Sequence, residues 1–329
     1  MNGTDEGPAV SVIVPTYHRP DMLREAVASV LSQQLEGGSP EVVIAVSDAG
    51  AASDIAAAQE LAAADARVRV VVARMPGPGA ARNAGMAAAR GDLFAFIDDD
   101  CVAEPGWLRA GVVALSEADL VQGHTSPMAP PANWYHTVYV DRLSLLWEAC
   151  NLFVRREMVE RAGGFDESWN PTGRAGGHWG EDTEWGLRLT HHGARVAFRE
   201  DARVRHAVMP RTFAGYLAYQ SRLRYFPMLL RRSPELRQRF YRGYFISRRH
   251  AVLTGSVGML GVAGAARVMG SRRVAAAAAT AAALALLPGT DVLRAAVQTS
   301  SQIVHRAAHE AVELGALVYG SVRWRRILL

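Results

Sequence analysis

The stretch "RVRVVVARMPGPGAARNAGMAAARGDLFAFIDDD", residues 67–100, contains one complete strand–helix–strand unit. Its outer segments, 67–73 and 92–100, are short, rich in β-branched or aromatic residues and almost continuously apolar, which is typical of parallel strands covered on both faces. The Ala-rich segment 79–91 between them predicts a helix, and the preceding "GPG" predicts the turn that leads into it. Parallel strands joined by a helix indicate an α/β fold.

The same alternation continues towards the N-terminus. Segments 10–17 and 41–48 predict two further buried strands, and the apolar stripe within 19–34 predicts a helix between them. We therefore predict a doubly wound, mostly parallel sheet with an α-helical, apolar C-terminal appendage. In sheets of this kind ligands bind at the carboxyl ends of the strands, so chemistry is expected there.

Three carboxylates, Asp98, Asp99 and Asp100, end the last of these strands. Adjacent carboxylates repel one another, so they either face water on a loop or surround a cation. If this segment is extended, the side chains of Asp98 and Asp100 project from the same face of the strand. Two carboxylates on one face can share Mg²⁺ or Mn²⁺ with a diphosphate. The buried run "LFAFI" before them favours a site over a solvated loop.

The glycine-rich stretch "GPGAAR", residues 77–82, has three interpretations. It follows a strand and opens a helix, as a dinucleotide fingerprint does, which makes an NAD-type dinucleotide-dependent oxidoreductase one hypothesis. However, it follows the third predicted strand instead of the first, and Arg82 replaces the third glycine. Arg82 can instead donate charge-assisted hydrogen bonds to a diphosphate. The third interpretation is an ordinary turn into a helix.

The C-terminal part of the chain has a different composition. Residues 203–249 contain twelve Arg, and Glu235 is the one acidic residue in that segment. The apolar stretches 251–266 and 274–289 follow, each shorter than the roughly 20 residues that a membrane-spanning helix needs. An interfacial hairpin attracted to anionic headgroups by the Arg-rich segment is one prediction, and a small helical subdomain packed on the rest of the protein is the alternative.

The composition and net charge exclude few classes of function. The net charge of +4 gives no reason to expect a nucleic-acid partner. Cys101 and Cys150 are the two cysteines, and neither lies in a CxxC motif or a Cys/His cluster of the sequence, so both are expected to be small buried side chains in a reducing compartment. The polar, acidic N-terminal segment does not resemble a secretory signal, so a cytoplasmic location is expected.

Six segments, taken in order, resemble the inverting family 2 glycosyltransferases of the GT-A fold. The segments read "VSVIVPTYHRP", "VSDAG", "GPGAARNAG", "FAFIDDDCVAEPGWL", "NLFVRREMVERAGGFDE" and "GEDTEWGLRL", and the resemblance as a whole covers roughly residues 10–206. The resemblance implies transfer of a glycosyl group from a nucleotide-diphosphate sugar to an acceptor hydroxyl, with inversion and with Mg²⁺ or Mn²⁺. The implied acceptor is a glycan or a lipid-linked molecule, which would suit a position at the inner face of the membrane.

The resemblance also implies roles for individual residues. The implied donor-binding residues are Pro15, Thr16, Tyr17, Asp48, Arg82, Asn83, Asp98 and Asp99. The implied metal ligands are Asp98, Asp100 and the late His206, for which a surface histidine at a strand end is the alternative.

Asp182, in "GED", resembles the general base of the family. An acceptor hydroxyl is a poor nucleophile until a carboxylate takes its proton, and Glu181 and Glu184 are the neighbouring alternatives for this role. Around the glycine-rich segment 170–180, the residues Trp169, His178, Trp179 and Glu181 are candidates for contact with the acceptor. Packing of this segment against the protein is the competing interpretation of its aromatic residues.

The expected organisation has three parts: a glycosyltransferase domain over 1–215, an Arg-rich helical connector over 216–249, and a helical, membrane-associated region over 250–329. A non-catalytic nucleotide-sugar-binding membrane scaffold remains an alternative. The intact acidic motifs at 98–100 and 181–182 argue against that alternative.

Overall fold

The computed structural model describes residues 10–36, 38–47, 52–130, 134–144, 146–169, 180–245, 248, 251–252, 254–256, 259–260, 270–272 and 300–327, with 300–307 described by their backbone. The chain divides into two compact units, Met1–Arg211 and Thr212–Leu329. The three-part organisation expected from the sequence stays a prediction.

The first unit is built from strands and helices that alternate along most of its length. Its strands are β1 Val10–Thr16, β2 Glu41–Val46, β3 Val68–Val72, β4 Leu93–Ile97, β5 Cys101–Ala103, β6 Leu120–Pro127, β7 Tyr135–His136, β8 Asn151–Arg155, β9 Val196–His206 and β10 Met209–Pro210. Its helices are α1 Pro20–Leu31, α2 Ala52–Ala64, α3 Pro78–Ala88, α4 Trp107–Ala114, α5 Arg156–Ala162 and α6 Glu181–His191.

Eight of these strands form one sheet in the order β3-β2-β1-β4-β8-β6-β9-β5. The strands β3, β2, β1 and β4 are parallel, β8 is antiparallel to both β4 and β6, β6 is parallel to β9, and β5 is antiparallel to β9. A second, two-stranded sheet pairs β10 with β7. The predicted α/β fold with a mostly parallel sheet is confirmed.

The core explains why the apolar runs form central strands. Every residue of β1 and β2 is buried, as expected for strands that are covered on both faces. Helix α3 packs closely on β1, because a Cβ atom at Gly85 would lie 2.6 Å from Ile13 Cγ2. This close approach fixes Arg82, one turn earlier in α3, near the carboxyl ends of the strands.

The acidic triplet does not have the geometry predicted for it. Strand β4 ends at Ile97, and Asp98–Asp100 form a turn in which the Cys101 N–H donates to the Asp98 carbonyl at 3.1 Å. The chain turns there because β5 pairs with β9, which is not a neighbour of β4 in the sheet. The prediction that Asp98 and Asp100 leave one face of an extended strand is therefore wrong: Asp98 pairs with Arg82, whereas Asp99 and Asp100 both pair with Arg19.

The second unit is helical. It contains α7 Phe213–Gln220, α8 Phe226–Arg232, α9 Ser300–Trp324 and two 3-10 helices, Ser221–Tyr225 and Pro234–Arg239. Helix α9 lies against the first of these 3-10 helices so closely that a Cβ atom at Gly320 would meet the Arg224 carbonyl oxygen at 2.0 Å. Residues 274–289 and most of 251–266, for which an interfacial hairpin was predicted, lie outside the described residues. In the part of the chain that is described, no helix has both the length and the apolar character needed to cross a bilayer.

Candidate active site

Two arginine side chains form ion pairs with the three carboxylates of the acidic turn. Arg19, which lies just before α1, bridges two of the carboxylates: its Nη1 atom is 2.9 Å from Asp99 Oδ1 and 2.7 Å from Asp100 Oδ2. The third carboxylate, that of Asp98, accepts from Arg82 Nη2 at 2.6 Å. Counter-charges therefore stand beside all three carboxylates, which explains how a buried strand can end in them.

Asp99 joins the ends of β1 and β4. Its Oδ2 atom accepts from the Thr16 hydroxyl at 2.8 Å and from the Tyr17 backbone N–H at 3.1 Å. Burial raises the pKa of Asp99 to about 6, although the Arg19 guanidinium opposes the shift. Pro15 is buried within β1, whereas the Tyr17 side chain is 49% exposed and open to a ligand.

A buried carboxylate that the sequence did not reveal holds the loop after β1. Asp54 of α2 accepts from the His18 backbone N–H and, at 3.2 Å, from the Arg19 backbone N–H. His18 has a φ of 57°, a left-handed conformation that non-glycine residues rarely adopt. Asp54 therefore stabilises the turn that points Arg19 at the acidic triplet.

Asp100, Cys101 and His206 form a compact group in which one possible ligand atom from each residue lies within 4.8 Å of the others. Cys101 and His206 are directly opposite each other in the β5–β9 pair, and His206 Nε2 is 3.5 Å from Asp100 Oδ1. The other ring nitrogen, Nδ1, is 2.7 Å from the Ala207 carbonyl, to which it donates, so in the neutral imidazole Nε2 carries the lone pair. A carboxylate and a correctly oriented imidazole suit a divalent cation, and Asp98 is not part of this group.

Arg82 connects the acidic turn with the start of α6. Besides its bond to Asp98, its Nη1 atom lies 3.9 Å from Glu181 Oε1, and its guanidinium lies 5.5 Å from the centre of the Phe165 ring. The side chain is buried, and its Nε–H has no hydrogen-bond partner among the described residues. An unpaired buried donor is costly, so a ligand oxygen that reached this atom would gain a charge-assisted hydrogen bond.

Helix α6 is fixed against the sheet by aromatic packing. It begins after Gly180, whose φ of 76° favours glycine. Trp185 of α6 is fully buried, stacks on Phe165 at 4.2 Å and meets Phe96 of β4 edge-on at 5.5 Å. The first turn of α6, which carries Asp182, is thereby fixed next to the carboxyl end of β4.

Asp182 has the surroundings expected of a base. Its Oδ2 atom accepts from the Ala149 N–H at 3.4 Å, and its Oδ1 atom accepts from the Thr183 N–H at 2.9 Å. Burial raises the pKa of Asp182 above the usual range of an aspartate, and the charge of Glu181 adds to the shift. A carboxylate with a raised pKa accepts a proton more readily near neutral pH.

The neighbouring acids have other partners. Glu184 accepts from Arg188 at 3.1 Å and 3.2 Å, one helical turn further along α6. Glu181 faces Arg82, while its Oε2 atom has no partner in the described part of the chain. The geometry therefore favours Asp182 over both alternatives, and the assignment of the base stays a prediction.

Trp147 is a further residue that sequence reasoning missed. Its φ is 54°, its indole is buried, and its ring lies so near Gly186 that a Cβ atom there would be 2.1 Å from Trp147 Cγ. Gly186 is one turn beyond Asp182 in α6, so this contact holds the segment before β8 against the face that carries Asp182.

Several predicted site residues lie elsewhere. The Asn83 amide binds the Phe165 backbone at 2.8 Å and 2.9 Å and Glu167 at 2.9 Å, which argues against the donor contact predicted for it. Trp169 is buried, so its ring cannot offer an open face to a sugar. Asp48, His178 and Trp179 lie outside the described residues.

The influence of Glu181 on the pKa of Asp182 can be tested through the pH dependence of kcat/KM. Since the negative charge of Glu181 helps to raise the pKa of Asp182, Glu181→Gln should lower that pKa. The base would then ionise at lower pH, and the acidic limb of the kcat/KM profile should move down by about 1 pH unit. Glu184→Gln is the matched control, because Glu184 is paired with Arg188. An unchanged profile in Glu181→Gln would contradict the coupling.

Sequence comparison identifies related families. Residues 11–163 match Glycosyl transferase family 2, and residues 93–290 match Glycosyl transferase family group 2. The second match alone covers more than half of the chain.

Relatives with similar sequences include two glycosyltransferases and a succinoglycan biosynthesis protein. Glycosyltransferase AglE of Haloferax volcanii is 27% identical over 215 residues, which cover 62% of this chain and 68% of AglE. The succinoglycan biosynthesis protein ExoO of Rhizobium meliloti is 42% identical over 106 residues, 32% of this chain and 29% of ExoO. The pre-mycofactocin glycosyltransferase of Mycobacterium tuberculosis is 27% identical over 223 residues, 60% of this chain and 42% of that protein. The chain thus spans about two thirds of AglE and less than half of the other two.

A solved structure has the same fold. The mannosyltransferase PcManGT from Pyrobaculum calidifontis, in complex with GDP-Man and Mn²⁺, superposes with a TM-score of 0.60 and 20% sequence identity, covering 97% of this chain and 87% of that one. The predicted GT-A-like architecture is confirmed by this likeness.

Proposed function

The chain belongs to the family 2 glycosyltransferases, and on that basis we propose that it transfers a glycosyl group from a nucleotide-diphosphate sugar to an acceptor hydroxyl, with inversion and with a divalent cation. One observation carries this proposal. Arg82 contacts Asp98 of the acidic turn and approaches Glu181, the neighbour of Asp182, so the two acidic motifs face one buried guanidinium.

The donor would bind along the carboxyl ends of β1 and β4. Pro15, Thr16 and Tyr17 would line the nucleoside pocket, where the exposed Tyr17 ring offers a face for the base. Asp98, whose side chain is part-exposed, would accept a hydrogen bond from the ribose or the sugar. Asp99 is buried and its two oxygens accept from Arg19, Thr16 and Tyr17, so it would position those residues instead of touching the donor. The free Nε–H of Arg82 would donate to the diphosphate.

Asp182 would take the proton of the acceptor hydroxyl while that oxygen attacks the anomeric carbon. The new glycosidic bond forms as the bond to the diphosphate oxygen breaks, and the electron pair leaves with the nucleotide. Arg82 would stabilise the charge that develops on the diphosphate. A single displacement inverts the anomeric centre, because attack comes from the face opposite the leaving group.

Asp100 and His206 would hold the cation. A bound Mg²⁺ or Mn²⁺ supplies positive charge next to the leaving diphosphate. The imidazole makes Mn²⁺ the better match, because Mg²⁺ prefers oxygen ligands. Asp98, the other predicted ligand, is instead paired with Arg82 at 2.6 Å, so we assign it to the donor.

Loss of Arg82 should weaken donor binding. Arg82→Gln removes a charge-assisted hydrogen bond worth about 1.5–3 kcal/mol, so the affinity for a nucleoside diphosphate should fall about 10- to 100-fold by calorimetry. Arg82→Lys should keep part of that affinity, since the charge remains. Arg24→Gln is the matched control, because Arg24 pairs with Glu60 on the surface. Unchanged affinity in Arg82→Gln would remove Arg82 from the donor site.

The second unit supports a peripheral membrane surface as a partner, which would suit a lipid-linked or membrane-bound glycan acceptor. Helix α9 exposes Val318, Tyr319 and Val322, the last at 75%, and Arg323 and Arg325 follow them. Apolar side chains next to cationic ones match an anionic membrane surface. Flotation of the protein with anionic vesicles, lost in Val322→Asp, would support this partner, and a protein that stays in the soluble fraction would refute it.

A thermal-shift panel tests the proposed reaction class. UDP-, GDP- and TDP-sugars are added with and without Mn²⁺, and GDP-mannose is the first candidate because the structural neighbour PcManGT holds it with Mn²⁺. We expect one nucleotide class to raise the Tm only when Mn²⁺ is present. Stabilisation by NAD(H) without a divalent cation would instead favour the oxidoreductase hypothesis, against which the family membership argues.

A further inference from the structure

The cation site has a sulfur atom next to it. Cys101 Sγ lies 3.8 Å from Asp100 Oδ1, the same oxygen that His206 Nε2 approaches to 3.5 Å. All three side chains are buried, and they come from the acidic turn, β5 and β9. The sequence separates Cys101 from His206 by more than a hundred residues, and the β5–β9 pairing places them opposite each other.

Two of the three separations within this group can be compared with metal geometries. Tetrahedral Zn²⁺, with bonds of about 2.0–2.3 Å, places neighbouring ligand atoms about 3.4–3.7 Å apart. Octahedral Mg²⁺, with bonds of about 2.1 Å, places them about 3 Å apart. The separations of 3.5 Å and 3.8 Å, from Asp100 Oδ1 to His206 Nε2 and to Cys101 Sγ, are close to the tetrahedral values, whereas an octahedral cation would draw Asp100 and His206 about 0.5 Å closer together.

Asp100 can bind a metal ion here and keep its ion pair with Arg19. Arg19 binds the other oxygen, Oδ2, at 2.7 Å, so Oδ1 remains directed at His206 and Cys101. Arg19 thereby orients the carboxylate, as the outer partners of metal ligands do. The imidazole is oriented by its own bond to the Ala207 carbonyl.

We propose that Cys101 is a third ligand at this site for thiophilic divalent cations, so that Asp100, Cys101 and His206 together bind Zn²⁺ or Co²⁺ and leave one coordination position open. On binding, the Sγ–H bond breaks, the sulfur binds the metal, and the proton goes to solvent. Mg²⁺ and Mn²⁺, which prefer oxygen ligands to thiolates, do not recruit the thiol. The inference rests on the proposed function in one respect, that a cation binds at Asp100 and His206.

Cobalt spectroscopy tests the proposal directly. The full-length protein is freed of metal with a chelator, kept reduced and titrated with Co²⁺. A Cys ligand gives a thiolate-to-cobalt charge-transfer band in the near ultraviolet. We expect this band in the wild type and in Cys150→Ser, and its absence in Cys101→Ser. Cys150→Ser is a matched control, because Cys150 is also a buried free thiol but is not part of the three-residue group.

A competition experiment provides a second readout. Bound Mn²⁺ is followed by electron paramagnetic resonance while Zn²⁺ is added. Zn²⁺ should displace Mn²⁺ from the wild type, and in Cys101→Ser about tenfold or more Zn²⁺ should be needed, while Mn²⁺ affinity stays within twofold. Circular dichroism checks that the variant is folded.

Two outcomes would overturn the inference. If Co²⁺ binds without the charge-transfer band while Mn²⁺ binds and supports transfer, Cys101 is not a ligand and the proposed function stands. If neither Co²⁺ nor Mn²⁺ binds the wild type, both the thiol ligand and the metal-dependent part of the proposed function are wrong.

Discussion

Replacing Asp182 with Asn should lower the rate of glycosyl transfer by about 10³-fold, within the range of 10²- to 10⁴-fold that a general base contributes. The amide keeps the size of the carboxylate, and its oxygen can still accept from the Ala149 or Thr183 N–H. It cannot accept the proton of the acceptor hydroxyl, so the loss should appear in kcat. Nucleotide binding should stay within about twofold of wild type, since neither of these bonds reaches the proposed donor side.

Glu184→Gln is the matched control for this experiment. Glu184 lies in the same helical turn but is paired with Arg188, so its loss should leave the rate within a few-fold of wild type. Full activity in Asp182→Asn, or a larger loss in Glu184→Gln, would reject Asp182 as the base.

Replacing Asp100 with Asn should abolish Mn²⁺ binding and lower metal-dependent transfer by more than about 10²-fold, because the charge that a cation supplies at a leaving diphosphate is worth several kcal/mol. The amide keeps the shape of the side chain but removes the negative charge that faces His206. Electron paramagnetic resonance of Mn²⁺ measures the binding, and a donor-consumption assay measures the transfer.

Asp92→Asn is the control for Asp100→Asn. Asp92 is an exposed carboxylate just before β4, at the end of the strand opposite the acidic turn, so its loss should change neither readout. Mn²⁺ binding that survives in Asp100→Asn would place the cation elsewhere.

The sequence predicted the parts of the fold that depend on local patterns. Buried apolar runs identified β1 to β4, and the alternation of strands with helices indicated a parallel sheet whose carboxyl ends carry the site. It also pointed to the acidic turn and the start of α6 as the two places with candidate metal-binding and catalytic carboxylates. These features are visible because each depends on residues close together in the chain.

What the sequence could not predict depends on long-range pairing. Arg19 is 80 residues from Asp99, and its position depends on the turn that Asp54 holds. The contact between Cys101 and His206 depends on β5 pairing with β9, which no local pattern specifies. The same pairing makes the chain turn at Asp98–Asp100, so the extended geometry expected there was wrong.

The partners of the Asn83 amide also could not be predicted from the sequence. Asn83 follows Arg82 on the first turns of α3, so a donor contact was a reasonable prediction. In the structure Asn83 points to the Phe165 backbone and fixes the segment that follows α5. Phe165 in turn stacks on Trp185, so Asn83 contributes to the site by positioning α6.

In the proposed enzyme, the donor and the cation bind at the acidic turn, and a separate base, Asp182, faces them in the same site. The decisive test is a calorimetric titration of the nucleoside diphosphate that the thermal-shift panel selects. It is titrated into wild type, Asp100→Asn and Asp182→Asn, each with and without Mn²⁺. We expect binding that needs Mn²⁺, is lost in Asp100→Asn and persists in Asp182→Asn. Binding that is indifferent to Mn²⁺, or that is lost equally in both variants, would contradict this arrangement.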